Sequence, residues 1–195
     1  MRHRHETEIK LEVLNPRRIK RRLGELGFRL VKRRHFESNY LFDFTDRRLC
    51  KANCLLRVRV VDRHGVLTFK GAPLRSQQYK IRREIESAVG DGQEVREIFG
   101  CLGLHEVFRY EKYRTVYAPP GKDDASQAPN LVYDETPIGN FVELEGPRRW
   151  IDEVAHQLGY ARTDYITVSY GTLYRRWCEA RGEQPGNLIF SSQKS

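Results

Sequence analysis

The chain of 195 residues has no apolar run approaching the length of a membrane span, no C-x-x-C pair among its four cysteines, and no repeat of fixed period. Each absence removes a class of protein. Without about 20 consecutive apolar residues, a helical membrane protein is set aside. Cys50, Cys54, Cys101 and Cys178 offer neither a zinc ribbon nor a disulfide framework. Charges stand near the N-terminus where a secretory signal needs apolar residues, so a reducing cytoplasm is the expected compartment. His3, His5, His35, His64, His105 and His156 lack ligand-like spacing, which sets aside a histidine-based metal site.

What the chain has in quantity is charge of both signs. Lysine plus arginine number 35 against 26 acids, a formal +9, which favours an anionic partner such as a nucleic acid, a nucleotide or a polyphosphate. With 39% hydrophobic residues, one core is affordable and nothing in the length demands two. A single domain over residues 1–181 is expected, followed by a mobile tail, GEQPGNLIFSSQKS, over 182–195.

The stretch NPRRIKRRLGELG carries helix signals: Asn15 as cap, Pro16 in the first turn, Ile19, Leu23 and Leu26 at helical spacing, and Gly27 as a stop. Its RRIKRR cluster reads as a solvated face. Strand-like pieces follow: FRLVKRRHF, ESNYLFD, CLLRVRVVD, VLTFKGAP and QYKIRREIES, with a turn at DRHG. GQEVREIFGCLGL reads as a short helix, HEVFRYEKYRTVYA and NLVYDE as strands, and the intervening PPGKDDASQAPN as an exposed loop. FVELEG is a further strand, while PRRWIDEVAHQLG and SYGTLYRRWCEA are helices. Strands predominate, so an antiparallel sheet or closed barrel with helices outside is predicted, an α+β fold.

Side chains two apart on a strand share a face, which makes the alternation a test. Glu6, Glu8, Lys10 and Glu12 oppose Ile9, Leu11 and Val13; Arg57 and Arg59 oppose Leu56, Val58 and Val60; Glu143 and Glu145 oppose Val142 and Leu144. One face of YKIRREIE holds Lys80, Arg82, Glu84 and Glu86, EKYRTV places Lys112 with Arg114, and VYDE puts Asp134 beside Val132. A wet sheet face explains any one of these strands. It does not explain paired like charges, which repel unless something of opposite sign lies between them. A closed barrel with a charged interior satisfies all the strands at once, and such an interior suits a metal–polyanion complex.

Glu6-x-Glu8-x-Lys10 resembles the ExExK signature of the CYTH domain, the triphosphate tunnel metalloenzyme superfamily. The likeness continues in order through Arg57-x-Arg59, Lys70 in TFKGAP, Arg82/Glu84/Glu86, Lys112-x-Arg114, Asp134 and Glu143-x-Glu145, and so spans residues 5–175. The resemblance implies an antiparallel eight-stranded β-tunnel, a closed barrel with a charged interior and helices packed outside. It implies that Lys10, Arg57, Arg59, Lys70, Arg82, Lys112 and Arg114 line a triphosphate, with Lys10, Arg59, Lys112 and Arg114 at the reacting phosphoryl group. It assigns Mg²⁺ or Mn²⁺ to Glu6, Glu8, Asp134, Glu143 and Glu145. The chemistry agrees: guanidinium groups give bidentate donors to phosphate, and carboxylates are hard ligands. Glu12 reads as an ordinary surface acid.

Two reactions occur in that superfamily: hydrolysis of tripolyphosphate, a nucleoside triphosphate or an organic triphosphate such as thiamine triphosphate, and cyclisation of ATP to cyclic AMP. Class IV cyclases often carry His-Phe ahead of ExExK, whereas here the only HF is His35-Phe36, which favours hydrolysis. Against it, TVSYGTL lacks the lysine that family triphosphatases often place before a Ser-Tyr element. A non-catalytic module for polyphosphate or a triphosphorylated RNA end is the third reading. Its weakness is that the interior acids repel a phosphate chain unless a cation intervenes. The partner expected is a small-molecule triphosphate, not a membrane and, apart from a 5′-triphosphate end, not nucleic acid, with the protein a monomer or homodimer.

Overall fold

Charged and apolar residues alternate along eight strands, and this decides where the core goes. The structure, a computed structural model, describes residues 5–74, 76, 78–122 and 129–191. In chain order it contains β1 (His5–Glu12), α1 (Pro16–Glu25), β2 (Arg29–Phe44), α2 (Arg48–Lys51), β3 (Leu55–Val61), β4 (His64–Lys70) and β5 (Lys80–Val89). There follow α3 (Gly92–Cys101), β6 (Leu104–Ala118), β7 (Asn130–Thr136), β8 (Gly139–Glu145), α4 (Arg148–Gln157), a 3-10 turn at Arg162–Asp164, and α5 (Tyr170–Glu179). The strands pair in the order β1-β5-β4-β3-β2-β6-β7-β8 and close on themselves. Every pairing is antiparallel. The fold is therefore the predicted α+β barrel.

The hydrophobic core lies outside the barrel wall. Ile9, Leu11 and Val13 of the β1 segment pack with Val142 and Leu144 of β8 against Ile19 and Leu23 of α1 and Ile151, Val154 and Ala155 of α4. Burying each such aliphatic side chain is worth about 1.5–3 kcal/mol, so the two helices are what stabilise this side of the sheet. α1 starts where the sequence says it should: the Asn15 side chain accepts from Arg18 N at 3.0 Å. It stops at Gly27, whose φ of 76° suits glycine. On the opposite wall α3 covers Phe42, Val58 and Leu104. It approaches closely because a Cβ on Gly65 would lie 2.7 Å from Gly92 Cα.

Two features depart from the sequence reading. FRLVKRRHF and ESNYLFD form one strand, the 16-residue β2, because β6 pairs along its whole length and absorbs irregularities in register at three points. The four-residue helix α2 was not foreseen; Asp43, accepting from Leu49 N and Cys50 N at 3.0 and 2.9 Å, organises it from six residues upstream. Within the segment 182–195, residues 187–190 lie against β6. Leu188 is buried, its N–H donates to Arg109 O at 3.0 Å, and its carbonyl accepts from Glu111 N at 2.8 Å. A hydrophobic slot between β6, β8 and α5 is the reason. Residues 192–195 of the tail and 123–128 of the PPGKDDASQAPN loop lie outside the described residues.

Candidate functional site: a charged tunnel

The interior of the barrel is a cavity of about 570 Å³. Its wall includes Glu6, Glu8 and Lys10 of β1, Arg57 and Arg59 of β3, Lys70 of β4, Arg82, Glu84 and Glu86 of β5, Lys112 and Arg114 of β6, and Glu143 and Glu145 of β8. The face seen in the sequence is thus the inside, and the structure brings together every predicted site residue except Asp134 on one cavity wall. Register explains the meeting: Glu6 lies opposite Arg82, Glu8 opposite Glu145, Lys10 opposite Glu143, and Lys70 opposite Glu84. Glu12 is exposed, as a surface acid should be.

Opposite charges pair across the cavity. Lys70 Nζ stands 2.6 Å from Glu6 and 3.0 Å from Glu84, and Lys10 Nζ stands 3.1 Å from Glu143. Lys80 donates to Glu8, and Arg114 to Glu143. Arg57 and Arg59 both turn to one oxygen of Glu86, at 3.2 and 3.1 Å. Asp134 is fully buried just behind the wall and accepts from Lys112 Nζ at 2.9 Å, two nitrogens of Arg114 at 2.7 Å each, and the Tyr170 hydroxyl at 2.8 Å. Three of those bonds converge on Oδ2 and one on Oδ1, so this carboxylate is committed to the two bases and the tyrosine.

Burial alone raises the pKa of a carboxyl and lowers that of an ammonium, so the direction of each shift reports which neighbour prevails. For Glu143, burial is outweighed by Lys10 and Arg114, and its pKa is lowered. For Lys10, burial is outweighed by Glu143 and Glu8, and its pKa is raised. Glu6 goes the other way: burial, and then the charge of Glu8, push it up to about 8 against the pull of Lys70. Glu8, two residues on, goes the other way again, its burial outweighed by Lys10, Lys80 and Lys70.

No three His, Cys, Asp or Glu side chains among the described residues form a ready-made cation site. Glu6, Glu8, Glu143 and Glu145 nevertheless supply oxygen donors from the adjacent strands β1 and β8, all on the cavity wall. That donor set fits a hard divalent ion.

Residues not singled out from sequence also line the cavity: Lys32, His35, Glu37, Lys80, Phe108, Tyr110 and Tyr170. Lys80 shares the alternating face of Arg82 and Glu84, a signal already present. Glu37 is buried, with His35 Nε2 at 3.2 Å and Lys112 Nζ at 3.7 Å. Its signal was its parity with Asn39 and Leu41, hidden while β2 was read as two pieces. Tyr170 comes from α5, and no strand pattern points to a helix residue.

A closed antiparallel barrel whose wall interleaves acids and bases defines a class, the charged β-tunnel. The chain belongs to the CYTH domain family, whose model matches residues 4–170. It is 32% identical over 140 residues to a Methanocaldococcus jannaschii protein named "Putative adenylate cyclase MJ0240", covering 72% of this chain and 75% of that protein. Among solved structures, one from Vibrio parahaemolyticus described as a "putative adenylate cyclase" superposes with a TM-score of 0.74 at 15% identity, covering 88% of this chain and 98% of that one. A Hippeastrum protein described as a "Putative adenylyl cyclase" that "reveals a dominant" triphosphatase activity superposes with a TM-score of 0.61 at 18% identity, covering 92% and 97%. At these identities the two structures establish the fold alone.

Proposed function

We propose that the chain is a divalent-metal-dependent enzyme that binds a triphosphate group inside the tunnel and hydrolyses a phosphoanhydride bond. The observation that carries this reading is the interleaving itself: six bases, Lys10, Arg57, Arg59, Lys70, Lys112 and Arg114, share one cavity with Glu6, Glu8, Glu143 and Glu145. Bases alone suit an anion and acids alone a cation; only a ligand carrying both signs releases every pair without leaving a buried charge unmet. A triphosphate with Mg²⁺ or Mn²⁺ is such a ligand.

The metal would be held by Glu6, Glu8, Glu143 and Glu145, and when bound it would neutralise charge on the phosphoryl oxygens. The chain's own residues do the rest. Arg57 and Arg59 give up Glu86 and grip the phosphate chain with planar donors. Lys10, Lys112 and Arg114 stand where negative charge grows as the phosphoryl group transfers. Asp134 holds Lys112 and Arg114 in place, so we assign it to orientation in preference to metal binding. Positioning and charge account for most of such catalysis, and a water need only be aimed.

Cyclisation of ATP is the second reading, favoured by the name of the M. jannaschii relative. It demands a seat for the base, for which Phe108, Tyr110 and Tyr170 are aromatic groups on the cavity wall. Incubation with tripolyphosphate, ATP and thiamine triphosphate, each with Mg²⁺ or Mn²⁺, distinguishes the readings. Orthophosphate release is expected; cyclic AMP with pyrophosphate from ATP overturns hydrolysis in favour of cyclisation. No turnover of any triphosphate overturns both.

A further inference from the structure

Asn39 is fully buried, yet neither its Oδ1 nor its Nδ2 has a hydrogen-bond partner. Such an amide costs free energy in the folded state, and natural cores rarely keep one without a use. Its neighbours also lack hydrogen bonds: Arg57 Nε and Arg59 Nε are buried without an acceptor, and buried Glu37 Oε2 has only Lys112 Nζ near it, at the ion-pair distance of 3.7 Å. All four residues face the barrel interior from β2 and β3, and Asn39 lies directly opposite Arg59 in register.

The orphans are complementary. Arg59 Nε is a donor lacking an acceptor, Asn39 offers both an acceptor and a donor, and Glu37 Oε2 is an acceptor lacking a donor. These atoms make no hydrogen bond to one another: the Arg59 guanidinium is drawn toward Glu86, with Nη2 at 3.1 Å, and its Nη1 only approaches Glu37 Oε1, at 3.7 Å. Glu86 is half exposed and occupies the place of an anion between Arg57 and Arg59.

We propose that Asn39 is the positioning residue for Arg59 in the ligand-bound tunnel. When a phosphate takes the place of Glu86, the Arg59 Nε–H turns onto Asn39 Oδ1, and the Asn39 amide donates to Glu37 Oε2. This relay rests on the triphosphate reading above. Within this group of four residues it leaves only Arg57 Nε unused, and it fixes the guanidinium plane against the phosphate.

The test is a double-mutant cycle read by calorimetric binding of tripolyphosphate with Mn²⁺, together with thermal unfolding of the ligand-free protein. Asn39→Leu should weaken binding about tenfold, the value of one hydrogen bond to a charged group. In an Arg59→Lys background, which has no Nε–H, the same change should have no further effect. The melting temperature of ligand-free Asn39→Leu should equal or exceed that of the wild type, because an unpaired amide is gone. Unchanged affinity in Asn39→Leu, independent losses in the two backgrounds, or a lowered melting temperature overturns the assignment. If Asn39→Leu does not fold, Asn39→Ser runs the same cycle. Failure of the wild type to bind tripolyphosphate is a separate result, and it overturns the tunnel reading itself.

Discussion

Glu143 and Tyr170 carry the sharpest consequences at the scale of single residues. Glu143 is charged because Lys10 and Arg114 outweigh its burial. Glu143→Gln should lower metal-dependent turnover at least about tenfold and raise the Mn²⁺ concentration needed for half-maximal rate, while the circular dichroism spectrum stays as in the wild type. Unaltered turnover would remove Glu143 from the metal set. Tyr170 buries its hydroxyl on Asp134 at 2.8 Å and lays its ring 5.2 Å from Lys10 Nζ and 5.4 Å from Lys112 Nζ. Tyr170→Phe keeps the ring and removes one hydrogen bond to a charged group, so urea unfolding should show a loss of about 1.5–3 kcal/mol.

Among the elements, the segment after α5 and the helix α2 were least legible. Leu188 opens the short apolar run Leu188-Ile189-Phe190 directly after GEQPGN, which reads as a coil; the slot that receives it is formed by Tyr110, Phe141 and Tyr170 from three distant elements. Local sequence carries no trace of such a slot. Leu188→Ala should cost about 2–4 kcal/mol in urea unfolding and release the segment to proteolysis. α2 depends on Asp43, whose pKa burial would raise but which the N–H groups of Cys50, Leu49 and Phe44 hold below its usual value. A depressed carboxyl stabilises the fold above the ordinary Asp range and stops doing so as pH falls through its lowered pKa. Asp43→Asn should therefore destabilise by about 1–3 kcal/mol at neutral pH, and the gap from wild type should close in acid as pH falls through the lowered pKa of Asp43. By contrast, the strands of the charged wall were legible because Glu6-x-Glu8-x-Lys10 and Glu143-x-Glu145 repeat the period of the backbone itself.

For the whole molecule, pairing inside the tunnel would couple the two ligands proposed for it. Lys10 meets Glu143 and Lys70 meets Glu6, so a polyanion entering alone strands the acids, and a cation entering alone strands the bases. Each ligand should therefore tighten the other by the same factor. Calorimetry should give a tripolyphosphate affinity at least about tenfold higher with Mn²⁺ than without it, beyond the affinity of the ions for each other; equal values would argue against a shared site. No helix of the described residues is long and apolar enough to cross a membrane.

The placement of the apolar core outside the wall reaches further than packing. On β1 the even positions 6, 8 and 10 face the cavity and 9 and 11 face the helices; on β8 positions 143 and 145 face inward while 142 and 144 face out. Folding and chemistry are thus written on alternate letters of the same strands. Selection for yield and selection for activity would act on interleaved, nearly independent sets of codons. A lineage could exchange one ligand for another by editing every second residue, and a single-codon deletion in these strands would damage both at once.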